Sequence, residues 1–287
     1  MYFGAHVSIA GGVFNAPLNA AALGCEVFQM FTRSPQGGSV PELTPNIAAL
    51  FRRNMELTGQ RECYIHTPYF INFASANNHI YCGSISVVRQ ELERSSLLGA
   101  RYVMAHLGSY KDLGQKEGFV KVVAGLAETL KGYRGEAELL IEISAGAGAV
   151  IGDTFEEIAE IIHHPKLSAK GGSAPGGKKH PVGVCFDTAH AFTSGYDLRT
   201  PEAVAATFKK FDQTIGLKRL KMFHCNDSEA RFNEHKDRHA HIGHGYIGEV
   251  GFRALLTHPA IQNLNFICET EHDKIKDDLT LLKKIRD

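Results

Sequence analysis

The sequence predicts an α/β chain built as a (β/α)8 barrel, on three observations. Strand-length apolar runs recur eight times, segments with helical periodicity separate them, and six successive runs carry a histidine or a carboxylate at or next to their last residue. The runs read YFGAHV, EVFQMF, ECYIHT, RYVMAHL, ELLIEI, VGVCFD, RLKMFHC and NFICET. Near-continuous apolar runs of this length suit parallel strands buried on both faces. Eight such units in 287 residues match a barrel, which takes about 250 residues. A doubly wound open sheet would also alternate strand and helix, and periodicity alone does not separate the two.

The connecting segments carry helix signals. TPNIAALFRRNMEL opens with Thr44 as N-cap and Pro45 at the first helical position. DTFEEIAEIIHH starts at Asp153 and places Ile158, Ile161 and Ile162 on one face. TPEAVAATFKKF repeats the Thr-Pro start at Thr200. The stretch from Ala169 to Pro181, AKGGSAPGGKKHP, reads as a mobile loop between a helix and a strand. No linker divides the chain, so residues 1–287 are read as one catalytic barrel.

Bulk properties narrow the class. The 31 basic and 31 acidic residues cancel, which weighs against nucleic-acid binding through bulk charge alone. No apolar run is long enough to span a bilayer. The opening MYFGAHVSIAGG has neither a basic n-region nor a long apolar h-region. None of the six cysteines forms a CxxC pair, so reduced thiols in a cytoplasmic compartment are expected; a monomer is a separate expectation. Cys185, Cys225 and Cys268 lie close to ionisable residues, but a buried cysteine usually packs as a small hydrophobe.

The chemistry-bearing pattern lies at the run ends: His66, His106, Glu142, Asp187, His224 and Glu269, spaced by 40, 36, 45, 37 and 45 residues. Each interval is one strand–helix unit, so all six converge on the face where barrel active sites sit. One histidine there is usually structural, and one acidic residue often caps the next helix. Six together are a poor structural choice, because converging carboxylates repel one another unless a cation or proton lies between them. Imidazole and carboxylate suit zinc or manganese. His190, three residues beyond Asp187, and Asp237 and His239 in KDRH extend the set to nine. Nine donors exceed one four-coordinate site and fit a cluster of two or three ions, typical of phosphate-ester cleavage. Two motif-like stretches fail on context. GHGYIG (Gly243–Gly248) follows a polar loop rather than a strand, and GSAPGGKK precedes a strand and has Lys179 where Ser or Thr would bind magnesium.

GAHVSIAGG, CFDTAHAFTSGYDLRTPE, MFHCNDSE, KDRHAHIGHGYIG and ICET together resemble endonuclease IV, the metal-dependent apurinic/apyrimidinic endonucleases, over nearly the whole chain. The resemblance implies a barrel, double-stranded DNA containing abasic sites as partner, and three divalent ions, zinc foremost with manganese at some positions. By the resemblance, His66, His106 and Glu142 hold the first ion. Glu142 bridges to a second held by Asp187, His224 and Glu269, and His190, Asp237 and His239 hold the third. The same resemblance makes Glu142 and Glu269 the catalytic pair, with Glu269 orienting the nucleophile. His235, His241 and His244 fall on no ligand position.

The sequence also departs from the family pattern. EISAGAG stands for Glu-Asn-Thr-Ala-Gly, and HLG for HPG. The loop FTRSPQGGSV lacks the Trp and Arg that enter DNA, with Gln36 near the Arg position and Arg33 close by. Tyr69 matches a DNA-penetrating Tyr, and Phe70 replaces a Leu. Arg33, Lys178, Lys179 and Arg238 are candidate DNA-backbone contacts, with solvated loop charge as the alternative. A sugar isomerase or epimerase of the related barrel superfamily is the rival reading, against which His190, Asp237 and His239 argue.

Overall fold

The computed structural model describes residues 1–167 and 181–287. Lys178, Lys179, the GSAPGGKK stretch and most of the glycine-rich loop therefore lie outside the described residues. Ten strands are described: β1 Phe3–His6, β2 Val27–Met30, β3 Cys63–His66, β4 Tyr102–Ala105, β5 Glu138–Glu142, β6 Gly183–Asp187, β7 Leu220–His224, β8 Asp227–Ser228, β9 His239–Ala240 and β10 Asn265–Cys268. Eight close into a parallel barrel in the order β1, β10, β7, β6, β5, β4, β3, β2, while β8 and β9 pair antiparallel in the loop that follows β7. Closure resolves the choice between barrel and open sheet.

The helices are α1 Ala16–Leu23, α2 Pro45–Thr58, α3 Asn78–Leu98, α4 Gln115–Leu130, α5 Phe155–Ile162, α6 Thr188–Thr193, α7 Pro201–Thr214, α8 Gly248–Thr257 and α9 Ile275–Arg286. Thr44 and Thr200 cap α2 and α7 as the sequence suggests, each side chain accepting an amide N–H three residues on, at 3.2 Å. In α5 the cap is Thr154, one residue later than the expected Asp153, and Phe155 joins Ile158, Ile161 and Ile162 on the buried face. No described helix is long and apolar enough to cross a membrane, and all six cysteines are free.

The strands read as unbroken apolar runs because each serves two cores. Val27, Tyr64, Tyr102, Met104, Leu140, Cys185, Met222 and Ile267 fill the barrel interior. Their neighbours, such as Phe28, Ile65, Val103, Ile141, Phe186, Phe223 and Phe266, pack outward against the helices. Period-two alternation then dictates the layer above. Two residues beyond an interior apolar side chain stand His66, His106, Glu142, Asp187, His224 and Glu269, and the same step from Val27 on β2 reaches Gln29.

Closure is tight at β1. A Cβ on Gly4 would lie 1.7 Å from the Val27 carbonyl oxygen and 3.2 Å from Ile267 Cδ1. Backbone cannot give way as a flexible side chain can. Gly4→Ala should therefore cost about 3 kcal/mol or more, a fall of roughly 6–12 °C in melting temperature. A thermal melt unchanged from wild type would contradict this register of β1 against β2.

Candidate metal centre

Glu142, fully buried at the end of β5, is the hub. Its Oε2 lies 2.9 Å from His66 Nε2 and 3.4 Å from His106 Nε2. Its Oε1 lies 2.9 Å from His224 Nδ1 and 3.4 Å from His190 Nδ1. One carboxylate thus presents an oxygen to each of two donor groups. On the second side, Glu142, Asp187, His224 and Glu269 each offer an atom within a 4.8 Å cluster. There His224 Nδ1 stands 3.2 Å from Glu269 Oε2.

The third group forms where α6 meets the β8–β9 hairpin. Asp187 Oδ1 accepts the His190 amide at 2.8 Å, so it caps α6 and sets the ring of His190. The His190 Nε2–Asp237 Oδ1, Asp237 Oδ1–His239 Nε2 and His239 Nε2–His190 Nε2 distances are then 3.3, 3.5 and 3.4 Å. Donors about 2.0–2.1 Å from a tetrahedral ion stand about 3.3–3.4 Å from one another. This triangle has the edge length of a coordination shell. Asp187 Oδ2, 3.8 Å from His239 Nε2, links it to the second group.

Several of these donors are held from behind, as ligand positions require. His66 Nδ1 is bonded to the Thr67 carbonyl at 2.6 Å and His190 Nδ1 to the Ile143 carbonyl at 3.0 Å. The second contact explains why Ile143 can stand where the related pattern has Asn: the main chain carries it. Asn226 donates from Nδ2 to Asp187 Oδ2 at 2.7 Å and accepts the Glu269 amide at 2.7 Å.

The electrostatics of the site agree with a cation-binding role. Burial opposes the ionised form of Glu142, yet the adjacent His106 and His224 rings hold its carboxyl well below the usual range. Burial likewise opposes protonation of His190, but Asp187 and then Asp237 and Glu142 raise it well above an ordinary imidazole. Without a bound cation, these carboxylates draw a proton onto the His190 ring instead. Metal and protons are therefore competitors for these donors.

All nine expected ligand positions meet in this centre. The expected DNA contacts divide. Tyr69 and Phe70, 69% and 42% exposed, crown the rim after β3. The Tyr69 amide donates to the Pro35 carbonyl, so the exposed Gln36 sits in the loop alongside. Tyr69 packs on Phe31, which packs on His66, with ring centroids 5.3 and 5.5 Å apart. Arg238 is exposed beside Asp237. Arg33 is a correction: it is buried and ion-paired to the fully buried Glu91 of α3, with a further bond to Gln90. Its guanidinium is committed to the barrel wall and does not face a ligand. The cysteines flank the centre without entering it: no donor cluster among the described residues contains one.

Three residues at the site are not singled out by the sequence pattern. His6 and Gln29 occupy the ligand layer on β1 and β2. Asp227, just past His224, is a hub for the loop: its carboxylate accepts the amides of Ser228, Gly243, Gly245, Ile247 and Gly248 at 2.7–3.1 Å. Gly245 is required here, since a Cβ would lie 2.5 Å from Asp227 Oδ1. Four of the GHGYIG amides, which in a dinucleotide site would face phosphate, are spent on this internal carboxylate, and those of His244 and Tyr246 on the carbonyls of His241 and Ser228.

Barrel, donor layer and convergent loops define the class, and residues 17–285 match the family model of the xylose isomerase-like TIM barrel. The chain is 40% identical over 286 residues to the probable endonuclease 4 of Methanoculleus marisnigri, covering 99% of this chain and 97% of that one. It is 33% identical over 287 residues to that of Halothermothrix orenii, covering 100% and 99%. The solved endonuclease IV from Thermus thermophilus superposes with a TM-score of 0.85 at 31% identity, covering 99% and 98%. The chain belongs to the endonuclease IV family. A D-tagatose 3-epimerase-like protein shares the fold alone, with a TM-score of 0.71 at 18% identity over 99% and 97% of the two chains.

Proposed function

We propose that the protein is a DNA-repair endonuclease that hydrolyses the phosphodiester 5′ to an abasic site in duplex DNA and leaves a 3′-hydroxyl. It would hold three divalent ions, zinc foremost, one in each donor group around Glu142, Glu269 and Asp237. The observation that carries this reading is the third triangle, His190–Asp237–His239, with its edges of 3.3–3.5 Å. A sugar epimerase has no use for it, whereas a phosphodiester needs positive charge at more than one oxygen.

Ions bound there would neutralise the phosphate and lower the pKa of water. The protein's own groups do the rest. Glu142 holds the first two donor groups at a fixed separation through its two oxygens. Glu269 turns Oε2 toward the donor cluster, where it can orient an attacking water and accept its proton. His190 and His239, set by Asp187 and the β8–β9 hairpin, would hold the third ion where the departing 3′-oxygen develops negative charge. Tyr69 and Phe70 present apolar surface to the gap left by a missing base, and Gln36 and Arg238 present polar groups to the backbone. The balanced net charge is compatible with this, because the ions would add their charge only at the DNA-facing end.

Protein prepared without chelator should carry more than one divalent ion per chain by elemental analysis. It should also cut an abasic duplex to a product that a polymerase extends, and chelator should remove both properties together. A stoichiometry at or below one after reconstitution with zinc or manganese would sink the cluster. Full loading without cleavage would sink the substrate assignment.

A further inference from the structure

Gln29 lies at the end of β2, fully buried, in the same layer as the donors. Its amide has three partners. Nε2 donates to Glu269 Oε1 at 2.6 Å and to His6 Nδ1 at 3.0 Å, and Oε1 faces His224 Nε2 at 2.7 Å. A primary amide has two N–H donors on one side and an acceptor oxygen on the other. An ionised carboxylate only accepts, so Glu269 fixes which way round the amide stands. Turned over, Gln29 would put its carbonyl lone pairs against the carboxylate. With the amide fixed, Oε1 can be satisfied only by an N–H on His224 Nε2. That leaves Nδ1 as the lone pair of a neutral His224, and Nδ1 is the nitrogen facing Glu142 and Glu269.

His6 completes the clamp. Its ring packs on Phe31 with centroids 4.4 Å apart, and β1 and β2 pair with His6 opposite Gln29. The amide nitrogen of Gln29 can only donate, so His6 Nδ1, 3.0 Å away, accepts its second hydrogen.

We propose that Gln29 is a positioning residue for the second donor group: it selects the His224 tautomer that points Nδ1 into the cluster, and it ties Glu269 by Oε1 so that Oε2 is the oxygen offered. The inference rests on the reading of that group as a metal site. It implies that β2, which supplies no ligand, sets the affinity of the ion held by β6, β7 and β10.

The test uses the full chain loaded with zinc. Retained ions are counted against a chelator of graded concentration for wild type, Gln29→Met and Gln29→Glu. Gln29→Met keeps the volume without hydrogen bonds and should weaken one ion by about 10–100-fold, leaving the others at wild-type affinity. Gln29→Glu keeps an acceptor for His224 but sets a second carboxylate against Glu269, and should lose the same ion. Equal retention in wild type and Gln29→Met would overturn the inference, whatever happens to melting temperature. A second measurement does not depend on the variants folding. Long-range nitrogen–proton NMR of zinc-loaded wild type, with His224 assigned by difference from His224→Ala, should show His224 protonated at Nε2. Protonation at Nδ1 would overturn the inference. A wild type that takes up no more than one ion would instead remove the metal reading on which this one stands.

Discussion

Glu142→Gln should slow cleavage of an abasic duplex by about three orders of magnitude or more, which corresponds to ~4 kcal/mol of transition-state stabilisation. The size follows from position. Glu142 faces two donor groups with separate oxygens, at 2.9 Å from His66 and 2.9 Å from His224. Glutamine has nearly the same shape but removes the negative charge and turns one end into a donor. That end must then face an imidazole nitrogen whose lone pair is meant for an ion. Two donor groups are damaged at once, so metal content should fall together with rate. Glu269→Gln is the control of geometry: it should also cut the rate severely, yet leave the His66–His106–Glu142 group able to retain its ion. Initial rates and metal content on the same samples, with circular dichroism to establish an intact barrel, decide the matter. Near-normal turnover with full metal content in Glu142→Gln would mean that β5 does not contribute to the chemistry.

The barrel and six of its donors are legible in the sequence because one physical rule writes both. A strand buried on two faces reads as an apolar run, and its interior-facing top residue meets the other seven strands at the barrel mouth. Where that residue is His or a carboxylate and ends the run, as in CYIH or LLIE, the eye stops on it. Gln29 obeys the same rule, but its run continues with Met30 and Phe31, and an amide carries no charge to mark it. The telling signal is the two-residue step from an interior apolar side chain, present at Val27–Gln29 as at Leu140–Glu142. Asp237 and His239 lie in the excursion after β7, where the barrel's period does not apply, and the cluster of ionisable residues in KDRH rather than a strand end marks them. Arg33 misleads for the opposite reason. Its partner Glu91 is 58 residues away, and nothing local distinguishes a buried paired arginine from an exposed one. GHGYIG likewise gives no local hint that its amides close on Asp227.

The five histidines between Phe223 and Gly245 give the second large prediction, because the structure separates them by what they touch. His239→Ala should lower cleavage by orders of magnitude and lose the ion of the third group. Its Nε2 is one corner of a triangle whose other corners stand 3.4 and 3.5 Å away, and two corners do not hold an ion as three do. His241→Ala should act through the loop alone. Its ring bridges Asp278 at 2.7 Å and Asp273 at 3.1 Å, which anchors the segment after β9 to α9 without facing a donor group. A loss of about 10-fold, with all ions retained, fits a contact that positions a ligand from behind. His244 is exposed, and its replacement should be close to neutral. His235 needs a more careful substitution. It is exposed, but its backbone has φ 55° and its amide donates to the Thr193 carbonyl at 3.0 Å. Alanine tolerates that conformation poorly, so His235→Ala would add about 1 kcal/mol of backbone strain unrelated to chemistry. Asparagine accepts the left-handed region more readily, and His235→Asn should keep both cleavage rate and metal content near wild type. The measurement is initial rate on an abasic duplex, with ions counted on the same protein. If His235→Asn proves as damaging as His239→Ala, the loop donates through a different histidine and the third group is wrongly drawn.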